Sequence, residues 1–176
     1  MSAESKPTSP SNAFESLQAV SLLSGWEQAR PAGSPPILPA FRTAFNRFVA
    51  EVVSDTQETN LELADVQDVL RRAAGLSIGR AEASGPGRAQ QALQEAYLTA
   101  QAVGPGTAPH GQILLLIQSR PDAELEMDEL TDITETMWRN AGPEWELVFG
   151  HGIVPGLPAE ISLTFLLAPN ASAHIG

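Results

Sequence analysis

The spacing of apolar residues predicts three helices in the first part of the chain. Between residues 40 and 54 the apolar positions recur every three or four residues, which is typical of a helix with one buried face. A second helix is predicted at 63–74 by the same spacing. An earlier helix is predicted at 13–28, and the proline-rich stretch 30–39 separates it from the others.

The rest of the chain alternates between strand and helix patterns. Strands are predicted at 75–83, 111–119, 144–153 and 159–168, with helices at 88–103 and 126–140. This order predicts an α+β fold, because helices of that length pack on one face of a small sheet. We expect a two-layer sandwich in which a four-stranded sheet is covered by two helices and preceded by a long helix.

These elements suggest four segments along the chain. They are a disordered Ser/Pro-rich tail at 1–12, an amino-terminal helix with its proline-rich linker at 13–37, a helical segment at 38–74, and an α+β domain at 75–170.

Composition narrows the classes of function. The 176-residue chain has no cysteine, so disulfides, thiolate metal sites and a cysteine nucleophile are excluded. Its net charge of −11 argues against nucleic acid or an anionic membrane as a partner, since both require clustered positive charge. The apolar run 113–117 is too short to span a bilayer, and residues 1–10 lack a secretory profile. We therefore expect a cytoplasmic protein.

Residues that could catalyse a reaction or bind a metal are scattered. His110, His151 and His174 have no metal-ligand spacing. The carboxylates Asp128, Asp132 and Glu135 share one face of the predicted helix 126–140, where a hard cation site is one interpretation. The solvated back of an amphipathic helix is the simpler one, so we expect no metal.

A nucleotide site is also not expected. Phosphate binding at a helix start requires a glycine-rich turn with free backbone amides. The two candidates, "GPG" at 85–87 and 104–106, each put a proline where an amide donor is needed. We therefore expect no cofactor and no enzymatic activity of the chain alone.

The segment "NLELADV" at 60–66 places an amide and two acids close together. In the simplest interpretation Asn60 caps the following helix, and Glu62 and Asp65 complement its positive end. A water-activating pair of acids and one half of a cation site are the alternatives.

Two motifs at a fixed separation resemble the second half of the bacterial division GTPase FtsZ, a relative of tubulin. They are "NLELADVQDVL" at 60–70 and "AEASGPGRAQQALQEA" at 81–96. The helix at 40–54 resembles the lower part of the family's central helix, and the later strand–helix–strand–strand order resembles its carboxy-terminal domain. The resemblance covers about residues 38–168.

The resemblance implies a role for the loop. In FtsZ the corresponding synergy loop completes the GTP pocket of the next subunit, where its acids polarise the attacking water. It implies an in-trans role for Asn60, Glu62 and Asp65. It also implies that the partner subunit is contacted by these three residues together with Leu61 and Leu63. Glu62 stands where the family has aspartate, and we expect its extra methylene to displace the carboxylate and weaken hydrolysis.

The family's nucleotide-binding domain has no counterpart in the sequence. Residues 1–37 are too few to build it, and the family's terminal recruitment peptide is likewise not matched. Without that domain the apolar residues Phe41, Phe45 and Phe48 need a cover, which is either the helix at 13–28 or a second copy of the chain. We favour the helix, since its own apolar residues otherwise have no partner.

Three functions follow as hypotheses. The leading one is a binding module that inserts its loop into a full-length FtsZ-type GTPase subunit and regulates or caps filaments. The second is a self-assembling structural protein, a homo-oligomer with no nucleotide-dependent partner. The third is an enzyme or small-ligand protein with a cleft near His151 and Arg80, for which the sequence offers no convergent catalytic set.

Overall fold

The computed structural model describes residues 10–54 and 61–171, and for residues 10–16 it describes the helical backbone only. Within these ranges the chain forms five helices and five strands. In chain order they are α1 (Pro10–Ala29), α2 (Pro39–Val52), α3 (Leu63–Arg72), β1 (Leu76–Ala83), α4 (Arg88–Leu98), β2 (Gln101–Val103), β3 (Gly111–Ser119), α5 (Met127–Ala141), β4 (Trp145–Ile153) and β5 (Ile161–Pro169). The predicted tail at 1–12 lies mostly outside the described residues, and its last three belong to α1.

The strands form one mixed sheet in the order β2-β1-β5-β3-β4. β3 and β4 are parallel and are joined by the crossover helix α5, as a parallel pair requires. The other neighbouring strands are antiparallel. The α+β class predicted from the sequence is confirmed.

The sheet has one more strand than predicted. The helix predicted at 88–103 ends at Leu98, and residues 101–103 form β2, which pairs with residues 76–78 of β1. The sequence of this strand favours a helix, and the pairing with β1 outweighs that local preference.

Helices cover both faces of the sheet, which the prediction of a two-layer sandwich did not include. Ile113, Leu115 and Ile117 of β3 pack in a core with α4 and α5. Leu114 and Leu116 point the other way and pack in a second core with α1, α2 and α3. All of β3 is buried, because the strand lies between these two apolar layers.

The central helix α2 is covered by α1 of the same chain. Phe41, Phe45 and Phe48 are at most 1% exposed and share their core with Leu23 and Trp26 of α1. These phenylalanines therefore lie inside the fold and offer no surface to a second copy. Polar contacts fix the packing of α1, since Trp26 Nε1 donates to the carbonyl oxygen of Ala73 (3.0 Å) and Arg42 of α2 forms an ion pair with Glu27.

Within the ranges that the structure describes, no helix is both long and apolar enough to cross a bilayer.

Candidate partner-binding site

The described part of the loop begins at Leu61, which anchors it to the core. Leu61 is 2% exposed and packs with the apolar residues of α1, α2 and α3. It was predicted as a partner contact, but a side chain this deeply buried holds the loop in place instead. Asn60 lies outside the described residues.

Glu62 and Asp65 form the amino-terminal cap of α3. The backbone N–H of Glu62 donates to Asp65 Oδ2 at 2.7 Å, and the N–H of Asp65 donates to the carbonyl oxygen of Glu62 at 3.0 Å. This is a capping box, in which the side chain of Asp65, the third helical residue, reaches back to the N–H of Glu62, and the side chain of Glu62 approaches the N–H of Asp65 in return. The helix therefore has Glu62 at its N-cap, two residues after the cap expected at Asn60.

The two acids of the capping box differ in exposure. The carboxylate of Asp65 is half-buried and holds the turn, whereas the side chain of Glu62 is exposed. Leu63 is half-buried beside it and packs against the core. The positive end of the helix backbone favours both carboxylates at this position. Glu62 is therefore the acid that this segment presents to solvent.

The charges farther along α3 are balanced within the helix. Asp68 forms ion pairs with Arg71 (Oδ1 to Nη2, 3.0 Å) and with Arg72 (Oδ2 to Nη2, 2.6 Å). The carboxylate of Asp68 is therefore neutralised by its own helix, and Glu62 remains the acid exposed at the helix start.

The second motif places Arg88 at the start of α4 in a buried network that sequence reasoning missed. The Arg88 side chain is 9% exposed and contacts Glu129 through two bonds, Nε to Oε1 at 2.7 Å and Nη2 to Oε2 at 2.9 Å. It also donates to Glu160 Oε2 (3.2 Å) and to the carbonyl oxygens of Ala123 and Glu124 (2.9 Å each). The sequence signal for this network was an arginine directly after a "GPG" turn. Its partners could not be identified from that signal, because they are 35 to 72 residues away in the sequence.

This network determines the ionisation of its members. The hydrogen bond from Arg88 lowers the pKa of the Glu129 carboxyl, although partial burial opposes the shift. The same bond raises the pKa of Arg88 further above its ordinary value. The network ties together the starts of α4, α5 and β5, so its role is structural.

The "GPG" segments do not form phosphate cradles. The N–H of Gly85 donates to Glu160 Oε2 at 3.1 Å, so a carboxylate occupies the place a phosphate would take. Gly104 has φ of 79° and packs closely against the backbone of Ala74 and Gly75 in the turn that follows β2. Both segments therefore act as tight turns.

The structure separates Arg80 from His151, which were considered together as a cleft. Arg80 lies on the face that carries α2, where it pairs with Glu51 (3.4 Å) and Glu82 (2.9 Å). His151 lies beside Ile117 on the opposite face, with Nε2 2.9 Å from Ser119 Oγ. The sheet stands between these two residues, so they do not line one site.

The remaining candidates do not converge. Asp128, Asp132 and Glu135 are exposed on the outer face of α5, opposite the buried Ile133 and Met137. Among residues 10–54 and 61–171 no cluster of three acidic or histidine side chains could hold a metal ion. His110 is exposed, and His174 lies outside the described residues.

Comparison with solved structures shows that the fold is similar to that of FtsZ. An empty FtsZ dimer from M. jannaschii matches with a TM-score of 0.55 and 19% sequence identity over 78% of this chain and 41% of that chain. A mutant of the same FtsZ matches with a TM-score of 0.50 and 18% identity over 80% and 43%. GDP-bound CetZ1 from Haloferax volcanii matches with a TM-score of 0.49 and 15% identity over 82% and 43%. No family model matches the chain.

At these identities the comparison establishes a shared fold. The chain spans about two fifths of the length of the FtsZ chains that it matches. The resemblance to FtsZ, first indicated by two short motifs, is thus confirmed for the architecture of the chain.

Proposed function

We propose that this chain is a binding module that presents the start of α3 to an FtsZ-type subunit and regulates or caps filament assembly in cell division. The observation that carries the proposal is the exposed carboxylate of Glu62, which an FtsZ-like fold holds at the N-terminus of a helix. Buried Leu61 precedes it and the Asp65 cap follows it, so residues 61–65 meet a partner in a fixed conformation. A fixed loop loses little conformational entropy on binding.

The chemistry of such an encounter depends on the partner. A carboxylate beside a γ-phosphate can orient the attacking water, but the phosphates and the cation are held by the subunit that carries the nucleotide. Glu62 is one methylene longer than the aspartate that the resemblance places there. We therefore propose that insertion into the pocket is retained while water positioning, and with it hydrolysis, is weakened.

A nucleotide-dependent pull-down tests this proposal. The immobilised chain is mixed with a full-length FtsZ-type GTPase that carries GTP, GDP or no nucleotide. We expect the greatest retention with GTP, because the loop then meets an occupied pocket. Glu62→Gln should reduce retention, whereas the matched control Asp132→Asn, which removes one exposed charge from α5, should not. Equal retention in all three nucleotide states, or retention unaffected by Glu62→Gln, would rule the proposal out.

The alternative is a self-assembling structural protein with the same fold and no nucleotide-dependent partner. One observation favours it: among the described residues, the nine-residue edge strand β4 pairs with β3 alone. Under this alternative the chain associates with itself, and Glu62→Gln has no effect on any partner.

A further inference from the structure

The two edges of the sheet differ in length and in protection. One edge is formed by β2, which is three residues long and pairs with residues 76–78 of β1, and by residues 79–83 of β1 beyond it. It therefore has no long continuous strand of its own as a template. β4 forms the other edge and is nine residues long. Among the described residues its strand partner is β3 alone, on its inner side. A long open edge of this kind is a surface for pairing with another strand.

The composition of β4 after Glu146 leaves most of this edge without the usual protection. Native edges are commonly blocked by charged side chains, by proline or by bulges. Residues 147–153 contain no Asp, Glu, Lys, Arg or Pro. Leu147 and Phe149 are half-buried on the α4–α5 face, and Val148 is half-buried on the face that carries α1 to α3. Each of these three side chains packs against the core on its own face of the sheet, so both cores extend to this edge.

The hydrogen bonds at the two ends of β4 show which residues direct their backbone N–H and C=O groups away from β3. The N–H of Val154 donates to the carbonyl oxygen of Ser119, the last residue of β3, at 2.8 Å. At the other end the carbonyl oxygen of Trp145 accepts from Trp138 Nε1 at 3.0 Å, away from β3. Since backbone groups of successive residues point to opposite edges, Leu147 and Phe149 direct their N–H and C=O outward.

We propose that β4 pairs antiparallel with β4 of a second copy of this chain about a two-fold axis at Val148. In this register Leu147 of each copy lies opposite Phe149 of the other, and these residues exchange backbone hydrogen bonds. Aliphatic–aromatic pairs of this kind are favourable across strands. The sheets of the two copies then continue into one another, and the two Val148 side chains meet on the face that carries α1 to α3.

The positions of the acids are compatible with this register and exclude one neighbouring register. When two strands pair about a two-fold axis perpendicular to the sheet, residues opposite each other have their side chains on the same face. The register can therefore shift only in steps of two residues. With the axis at Val148, Glu146 lies opposite Gly150 and Glu144 opposite Gly152, so no two acids meet. Moving the axis to Glu146 would place two glutamates directly opposite each other, which is destabilising. Trp138, by occupying the carbonyl of Trp145, limits pairing at that end.

Cysteine cross-linking tests the axis directly, because the chain has no cysteine of its own. In Val148→Cys the two cysteines face each other as a non-hydrogen-bonded pair, with Cα atoms about 4.5 Å apart, within the range for a disulfide. The matched control Glu146→Cys lies on the same strand and face. In the proposed dimer, position 146 of one copy would be four residues away along the strands from position 146 of the other. This distance of roughly 13 Å is too long for a disulfide bond.

We expect Val148→Cys to form a covalent dimer under mild oxidation and Glu146→Cys to stay mostly uncross-linked. Sedimentation equilibrium of the unaltered chain should give twice the 18.7 kDa mass of one chain. A purely monomeric unaltered chain across the concentration range overturns the proposal, even if a cysteine variant fails to fold. Equal cross-linking of both variants, or a dimer that Val148→Cys does not trap, also overturns it. Since no nucleotide or FtsZ-type subunit is present, these results are independent of the function proposed for Glu62.

Discussion

The backbone N–H of Glu62 donates to Asp65 Oδ2 at 2.7 Å, so the carboxylate of Asp65 satisfies the donor at the N-cap of α3. Asp65 holds the helix start, and Glu62 is left exposed. A double substitution of both acids would therefore confuse a change in folding with a change in binding, and the two residues need separate variants.

Asp65→Ala should lower the free energy of unfolding by about 1 kcal/mol, since the loss of a helix cap typically has this cost. Glu62→Gln should lower it by less, because the backbone N–H of Glu62 remains to donate to Asp65 and only an exposed charge is removed. Urea denaturation followed by circular dichroism measures both values. A larger loss for Glu62→Gln than for Asp65→Ala would contradict the assignment of the cap.

The ion pair of Arg88 with Glu129 makes stability depend on pH. Because the folded pKa of the Glu129 carboxyl is lowered, the unfolded chain takes up this proton first as the pH falls. The stabilisation is fully present above the carboxyl's ordinary pKa of 4.5 and is lost as the pH falls towards the lower folded value. Urea denaturation between about pH 6 and pH 3 should show a steeper loss of stability for the unaltered chain than for Glu129→Gln. Parallel curves would show that this carboxyl does not contribute.

Close packing of α4 on β1 depends on Gly79. A Cβ at this position would lie 2.3 Å from the carbonyl oxygen of Ala96 and 2.5 Å from the ring of Phe165. Gly79→Ala should therefore destabilise the fold by about 1–3 kcal/mol, the usual cost of overpacking a core. The control is Gly25→Ala in α1, where a Cβ meets nothing within 4 Å and the helix should gain about 0.5–1 kcal/mol. Thermal unfolding should move the two midpoints in opposite directions.

The packing of α1 on α2 predicts that α1 unfolds together with the sheet. Leu23 is 1% exposed in this core, so Leu23→Ala should cost about 2–5 kcal/mol. Leu17 on the same helix is 68% exposed, so Leu17→Ala should change stability by no more than about 0.5 kcal/mol. Equal and small effects of both substitutions in urea denaturation would mean that α1 is not part of the cooperative unit.

The elements with clean periodicity were predictable from the sequence. β3 was predicted at its observed bounds, because its continuous apolar run fits a strand buried on both sides. α2 and α3 were predicted to within a few residues, since each has one apolar face. The α+β order followed from these patterns, and the two motifs then indicated the FtsZ-like fold.

The features that could not be predicted from the sequence depend mainly on contacts between residues far apart in the chain. β2 has a helix-favouring sequence and exists because Gln101–Val103 meets β1. The network of Arg88 joins segments far apart in the chain, and no local pattern encodes it. The position of the cap at Glu62 follows from where α3 begins, and helix ends are the least predictable part of a helix pattern.

A titration tests whether Glu62 acts in the pocket of another subunit, as we propose. Increasing amounts of the chain are added to a full-length FtsZ-type GTPase with GTP, and phosphate release and sedimentable polymer are measured together. We expect a dose-dependent change in both with the unaltered chain and with Asp132→Asn, and little change with Glu62→Gln. No change in either quantity at stoichiometric excess of the unaltered chain, or an undiminished effect of Glu62→Gln, would contradict it.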